Sequence, residues 1–354
     1  MTSLENKYIY RHNSQVSIAK GIGITLMVVG HSGCPEYLHN VIYSFHMVLF
    51  YFLSGFFFRD NKVVESGKNF MFRKFKGLYW PYIKWSIVFI LLHNLFFEIG
   101  FNESALSQQE MWINVKRSIR GMWQGERFLG AYWFLMSLFW EIVIFSLIIW
   151  VKNKLKMKFF TSLMVLVLFI TGLLTIEYGI DIWVNRELMV LPFFYLGYMV
   201  GNNKLVLFSE KYEKSIAYFI CLPILLVVAT FTQISIGGNN YGLYYIYVFT
   251  SFCGIYLIMV LSKQLNNTRL GKMIDYAGGV TLHIMTFHFF AFKLLTALLV
   301  VIMSLPNSYL QEWPVPDGLK EFWLLYSIVG MMVPIGILLL YNHAKRNCLS
   351  IIKK

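Results

Sequence analysis

The chain has 354 residues, 57% of them hydrophobic, 18% aromatic and 14% charged, with a mean hydropathy of +0.58. That is too apolar for an ordinary soluble domain, and apolar runs of about 17–25 residues, each enough to cross ~30 Å of hydrocarbon as a helix, recur along its whole length. The formal net charge of +13 excludes no partner by itself, because it matters where the cations fall.

In chain order, the polar opening MTSLENKYIYRHNSQ leads into an apolar run without a small-residue cleavage pattern, so this first run is expected to stay in the mature chain. Ten segments read as membrane-spanning helices: residues 16–34, 41–58, 79–97, 128–151, 159–178, 188–202, 215–234, 241–262, 275–305 and 321–341. Long continuous apolar runs exclude the alternating pattern of a barrel, and a lipid-embedded backbone must satisfy itself internally. The expectation is an all-α, polytopic helical bundle, one transmembrane domain over residues 1–354 with no separate soluble domain.

An even number of crossings puts both termini on one side, and cation placement says which. With the N-terminus inside, 22 of the 31 Lys and Arg fall on inner segments and 6 on outer ones. Lys20, Lys84 and Lys293 fall within spans. This N-in, C-in distribution accounts for most of the basic charge without a nucleic acid. The four cysteines (Cys34, Cys221, Cys253, Cys348) show no CxxC spacing, and so suggest neither a metal site nor a disulfide framework.

The first span, KGIGITLMVVGHSG, carries Lys20 and His31. Eleven residues at about 100° each return both to one helix face, displaced by roughly 16 Å. Ionisable groups within a span point to an interior or watery environment, although Lys20 has the alternative of reaching back to the inner headgroups. The second span, FHMVLFYFLSGFFFR, holds His46 and a small polar notch at Ser54 and Gly55. Two imidazoles on consecutive helices suit proton transfer at a hydroxyl attacking an acyl carbonyl. A metal would need three or four ligands, which the pattern does not supply.

The inner loop 59–78 ends in FMFRKFKGLYWPYIKW, where Arg73, Lys74 and Lys76 precede an aromatic cluster and Pro81. These read either as a positive-inside anchor or as a phosphate-binding entrance. The outer loop 98–127 mixes charges with Trp112 and Trp123 and has room for a short surface helix. AYWFLMSLFWE on the fourth span carries Trp133 and Glu141; SIGGNNYG at 235–242 reads as a turn. On the ninth span His283 and His288 lie about 140° apart around the helix, so at most one shares a pocket with His31. No internal repeat supports an inverted-repeat transporter.

Together these pieces resemble acyltransferase family 3, which includes bacterial O-acetyltransferases of surface polysaccharides. Lys20 and His31 resemble its R/K-X10-H signature; FHMVLFYFLSG is similar to its FHMPLFFFISG-type second span; FRKFKGLYWPY resembles its basic RxxR stretch, with Arg73 and Lys76 in the basic positions. YWFL, FFYLGY and TLHIMTFH resemble its later patterns, the last pointing to His288 rather than His283. The departures are Lys20 and Lys76 where arginine is common, which removes a bidentate grip on phosphate or carboxylate at both, and Met285 and Thr286 for the usual tyrosine and leucine. No extracytoplasmic hydrolase domain is expected after the tenth span.

What the resemblance implies is transfer of an acyl group, most often acetyl, from cytoplasmic acyl-CoA to a sugar hydroxyl of a lipid-linked or exported glycan at the bacterial inner membrane. His31, His46 and His288 would then be catalytic, and Lys20, Arg73 and Lys76 would hold the donor, acyl-CoA. Ser54, Trp133 and Glu141 would line the substrate site. The implied partners are the glycan acceptor and membrane lipids, with no nucleic acid and no metal. The alternative class is a glycan or lipid-intermediate transporter with histidine proton relays.

Overall fold

The computed structural model describes residues 13–123, 125–205 and 212–352, with side chains to residue 345. Helices make up the regular structure of these residues; the sole strand-like feature among them is a single bridge between Ser235 and Asn240.

The first helix, α1 (Ser14–His31), starts where the Asn13 side chain accepts the Val16 amide, a standard N-cap. The second predicted span is not one helix. It divides into α2 (Glu36–Tyr43) and α3 (His46–Phe56) at Ser44 and Phe45. The carbonyl of Ser44 freed by the break accepts from the Thr250 and Ser251 hydroxyls, and the Phe45 ring fills the space left by Gly254. Hydropathy does not report such a break, because both halves are equally apolar.

Next come α4 (Asp60–Val64) and α5 (Gly67–Lys74), then a π-helical turn at Phe75–Tyr79 that runs into α6 (Trp80–Glu98). The predicted surface helix exists as α7 (Gln108–Gly121), opened by a capping box between Ser107 and Glu110. It does not remain beside the end of α6. Asn94 exchanges two hydrogen bonds with Leu106, while the Tyr79 hydroxyl donates to the Ile119 carbonyl, so α7 runs back antiparallel along α6.

A 3-10 turn at Arg127–Tyr132 leads into α8 (Trp133–Leu155), followed by α9 (Phe160–Glu177) and α10 (Asn185–Gly201). The predicted seventh span is broken into α11 (Glu213–Ile216), a π turn and α12 (Leu222–Val228). It is followed by α13 (Tyr244–Leu265) and α14 (Arg269–Gly279). The predicted ninth span begins one residue after α14 as α15 (Thr281–Ile302), and α16 (Trp323–Ile352) ends the chain.

Five helical stretches among the described residues are long and apolar enough to cross a membrane, namely Arg127–Leu155, Phe160–Glu177, Tyr244–Leu265, Thr281–Ile302 and Asp317–Lys345. They make this an integral membrane protein. Their burial differs with position. α9 is apolar on its outward face, where Leu163, Leu166, Ile170 and Leu174 are exposed, whereas α13 and α15 are largely enclosed. At the centre α3 crosses α10 in backbone contact. A Cβ on Gly55 would lie 1.9 Å from the Phe194 carbonyl oxygen, and one on Gly197 1.9 Å from that of Phe52, so these positions admit hydrogen alone.

Candidate active site

A cavity of about 620 Å³ runs through the bundle beside α1, which lines it with Lys20, Ile24, Met27 and His31. That spacing of three and four residues is one helical stripe, as the sequence predicts. Lys20 and His31 therefore look into the same space from its two ends, at a separation of roughly 16 Å along the helix. The facing wall comes from α3 (His46, Met47, Phe50, Ser54) and α8 (Trp133, Phe134, Leu138, Ile142).

At the histidine end, the Ile42 carbonyl at the break before α3 accepts the Phe45 amide at 3.3 Å, and His46 Nδ1 also lies 2.9 Å from it. A carbonyl can only accept, so Nδ1 carries the proton and Nε2 keeps its lone pair. His31 Nδ1 is 3.3 Å from the Tyr43 hydroxyl. The rings of Tyr43 and His46 are 4.8 Å apart, and His39 stacks on the other side of Tyr43 at 3.7 Å. His288 stands behind His31 rather than in the cavity wall, with ring centres 5.5 Å apart. Its Nδ1 meets the Met285 carbonyl at 2.9 Å, and its buried Nε2 has no hydrogen-bond partner among the described residues. His283 is not part of this group.

At the lysine end four cations line the cavity: Lys20, Lys62, Arg73 and Lys74. No carboxylate among the described residues lines it. The Lys20 ammonium lies 5.0 Å from the Phe57 ring centre, a cation–π contact. Burial, then the charges of Lys20, Lys62 and Arg73, push the Lys74 ammonium down to about 8. Lys76 is not in the mouth. It lies 4.7 Å over the Phe72 ring, exposed and pointing away. The cause is the π turn at Phe75–Tyr79: its wider winding breaks the three-residue spacing that would align positions 73 and 76. Lys62 and Lys74 take the place expected for Lys76.

Of the remaining expected residues, Ser54 and Trp133 line the cavity and Glu141 does not. Glu141 is fully buried on another face of α8, and neither carboxyl oxygen has a hydrogen-bond partner among the described residues. The predicted turn at 235–242 does more than connect. Ser235, Ile236 and Gly237 close the cavity over Trp133, held by Arg186, which donates to the carbonyls of Ile236 (3.1 Å) and Gly237 (2.7 Å) and stacks 4.5 Å over the Trp133 ring. Among the described residues no three His, Cys, Asp or Glu side chains converge as a metal site would require.

A second cavity, of about 790 Å³, opens at the histidine end and is lined by Cys34, Glu36, His39, Pro314, Glu321 and Trp323, among others. His31 and Tyr43 line both cavities. Sequence reasoning missed Tyr43 and His39, although His39, Tyr43 and His46 are spaced by four and three, the period of one helix face.

Residues 13–341 match the family model of the acyltransferase domain, acyltransferase 3. The chain belongs to the acyltransferase 3 family. The match covers both cavities and nearly every helix, so the protein is a membrane acyltransferase. Comparison with curated proteins and with solved structures gave no match. In this family member the signature pair Lys20 and His31 shares one cavity, as the first-span pattern requires.

Proposed function

We propose that this acyltransferase moves an acetyl group from cytoplasmic acetyl-CoA to a sugar hydroxyl of a glycan at the bacterial inner membrane. The observation that carries the reading is the single cavity with cations at one end and imidazoles at the other. Coenzyme A has that polarity: its phosphates sit at one end, its thioester at the tip of an extended arm. Lys20, Lys62, Arg73 and Lys74 would hold the phosphates by charge, Arg73 alone with a planar fork. The apolar walls at Met27, Phe50 and Phe134 would take the arm and leave little water near the thioester.

In this reading His31 is the general base. With His31 Nδ1–H donating to the Tyr43 oxygen, Nε2 holds a lone pair and accepts the proton of the sugar hydroxyl. The hydroxyl oxygen bonds to the thioester carbonyl carbon, the carbon–sulfur bond breaks, and the proton passes from the imidazolium to the departing thiolate. Ester and free coenzyme A result. His46 stabilises charge on the same side, and His288, packed behind His31, positions its ring.

The test uses purified full-length protein, labelled acetyl-CoA and a glycan acceptor. Loss of a general base costs on the order of 10²–10⁴ in rate, so His31→Ala should drop transfer into that range while melting temperature and membrane abundance stay near wild type. Full activity in His31→Ala would refute the assignment. Mass spectrometry of surface glycans with and without the gene would show the missing acetyl ester directly.

A further inference from the structure

We infer that the second cavity is the acceptor subsite, and that its charge selects a neutral or amine-bearing sugar ring over an acidic one. The inference rests on the transferase reading above and adds where the acceptor sits and what kind it is. Three observations lead to it.

Residues 235–237, tied down by Arg186, form part of the donor cavity's wall beside Trp133, and the extended arm of the proposed donor would fill that cavity up to His31. An acceptor then needs a separate approach to His31, and the second cavity supplies one, since His31 and Tyr43 belong to both walls. At about 790 Å³ it falls in the range of small-molecule sites, ~300–1,000 Å³.

Its lining carries acid where the donor cavity carries base. Glu36 and Glu321 place carboxylates on it, and Trp323, Pro35 and Pro314 provide flat apolar faces. Carboxylates accept hydrogen bonds from ring hydroxyls, while flat faces cover the C–H side of a pyranose.

The balance of charge is acidic. Lys320 also lines the cavity, but its ammonium is 2.6 Å from the Asp317 carboxylate and is neutralised there. Glu36 receives a hydrogen bond from Gln233 at 2.6 Å, which keeps it an acceptor. A uronate or other acidic sugar would enter against two carboxylates, whereas a neutral or ammonium-bearing ring would not.

Cys34 lies on this wall, so its alkylation reports occupancy without turnover. The experiment follows N-ethylmaleimide modification of Cys34 by mass spectrometry in the full chain, with methyl glucoside, methyl glucosaminide, methyl glucuronide or desulfo-coenzyme A, which has no thiol to consume the reagent, as protectant. The first two should slow the reaction at least threefold, and the glucuronide and desulfo-coenzyme A should leave it unchanged. Glu36→Gln combined with Glu321→Gln should abolish the difference between glucoside and glucuronide. Equal protection by the glucuronide, protection by desulfo-coenzyme A, or no protection by any glycoside overturns the assignment. Transfer from labelled acetyl-CoA is measured on the same preparations. Protection without His31-dependent transfer keeps a sugar site and removes the transferase reading, and transfer without protection does the reverse.

Discussion

At the scale of single residues, Lys74 gives the donor mouth a pH dependence whose sign follows from its surroundings. Burial and three neighbouring cations bring its ammonium down to about 8, so it is charged below that pH and neutral above. Raising pH through about 8 should weaken the grip on the phosphates and raise the KM for acetyl-CoA several-fold. Bound phosphate supplies the missing counter-charge and moves the limb of the saturated enzyme to higher pH. Lys74→Arg should hold KM flat to pH 9, because a guanidinium does not titrate there, and Lys74→Met should show the high KM at every pH. Steady-state KM over pH 6.5–9 checks all three. Stability moves the opposite way: between about 8 and the ordinary lysine range the unfolded chain binds more protons, so stability rises with pH there. This residue also marks where the sequence stops being legible. Period alone placed Lys20 and His31 on one wall, because an uninterrupted helix keeps phase. Lys76 was placed beside Arg73 by the family resemblance alone; the π turn at Phe75–Tyr79 sets it over Phe72 instead, and apolar composition carries no sign of a π turn.

At the scale of elements, the position of the catalytic wall depends on how closely α3 approaches α10. Gly55 and Gly197 let the two backbones touch, and α3 carries both His46 and Ser54 into the cavity. A methyl at residue 197 has no space, since it would sit 1.9 Å from the Phe52 oxygen. Gly197→Ala must therefore separate the helices, with an overpacking cost of about 1–3 kcal/mol. The expected outcome is a lower melting temperature and at least a tenfold loss of transfer. Gly121→Ala is the control: nothing lies within 4 Å of a Cβ there, so both quantities should stay at wild-type values. An undisturbed Gly197→Ala enzyme would show that the crossing does not set the site. Helix locations were mostly legible at this scale, with α6, α9 and α13 within a few residues of the apolar runs that predict them. The break before His46 was not. It is specified from another helix, by the hydroxyls of Thr250 and Ser251 and the gap at Gly254, some two hundred residues away in sequence.

At the scale of the whole molecule, side-chain contacts sort the loops onto two ends independently of the cation count. Asp60 pairs with Lys152 (3.4 Å) and Lys204 (3.6 Å), which joins the segments after α3, α8 and α10 at the lysine end of the cavity. Lys263 joins Glu213 in the same manner. At the other end Arg127 pairs with Glu103, Glu36 with Gln233, and Lys293 donates to the carbonyls of Leu310 and Glu312. The grouping follows the alternation of segments between two ends, and the cation-rich end is the one that the positive-inside expectation puts in the cytoplasm. One element departs from the count: α7 carries Lys116, Arg117 and Arg120 back along α6 toward Tyr79, away from the end where the loop begins. The proposed function requires the lysine end to face the cytoplasm, where acetyl-CoA is made, and the second cavity to face out. Sidedness is measurable without any substrate. Single cysteines at Glu65 and Ser104, in a chain lacking its own thiols, should react oppositely with a membrane-impermeant maleimide on intact cells. Ser104→Cys should be labelled from outside and Glu65→Cys only after permeabilisation. The reverse pattern would put the cationic mouth in the compartment without coenzyme A, and the division of the two cavities between donor and acceptor would have to be exchanged.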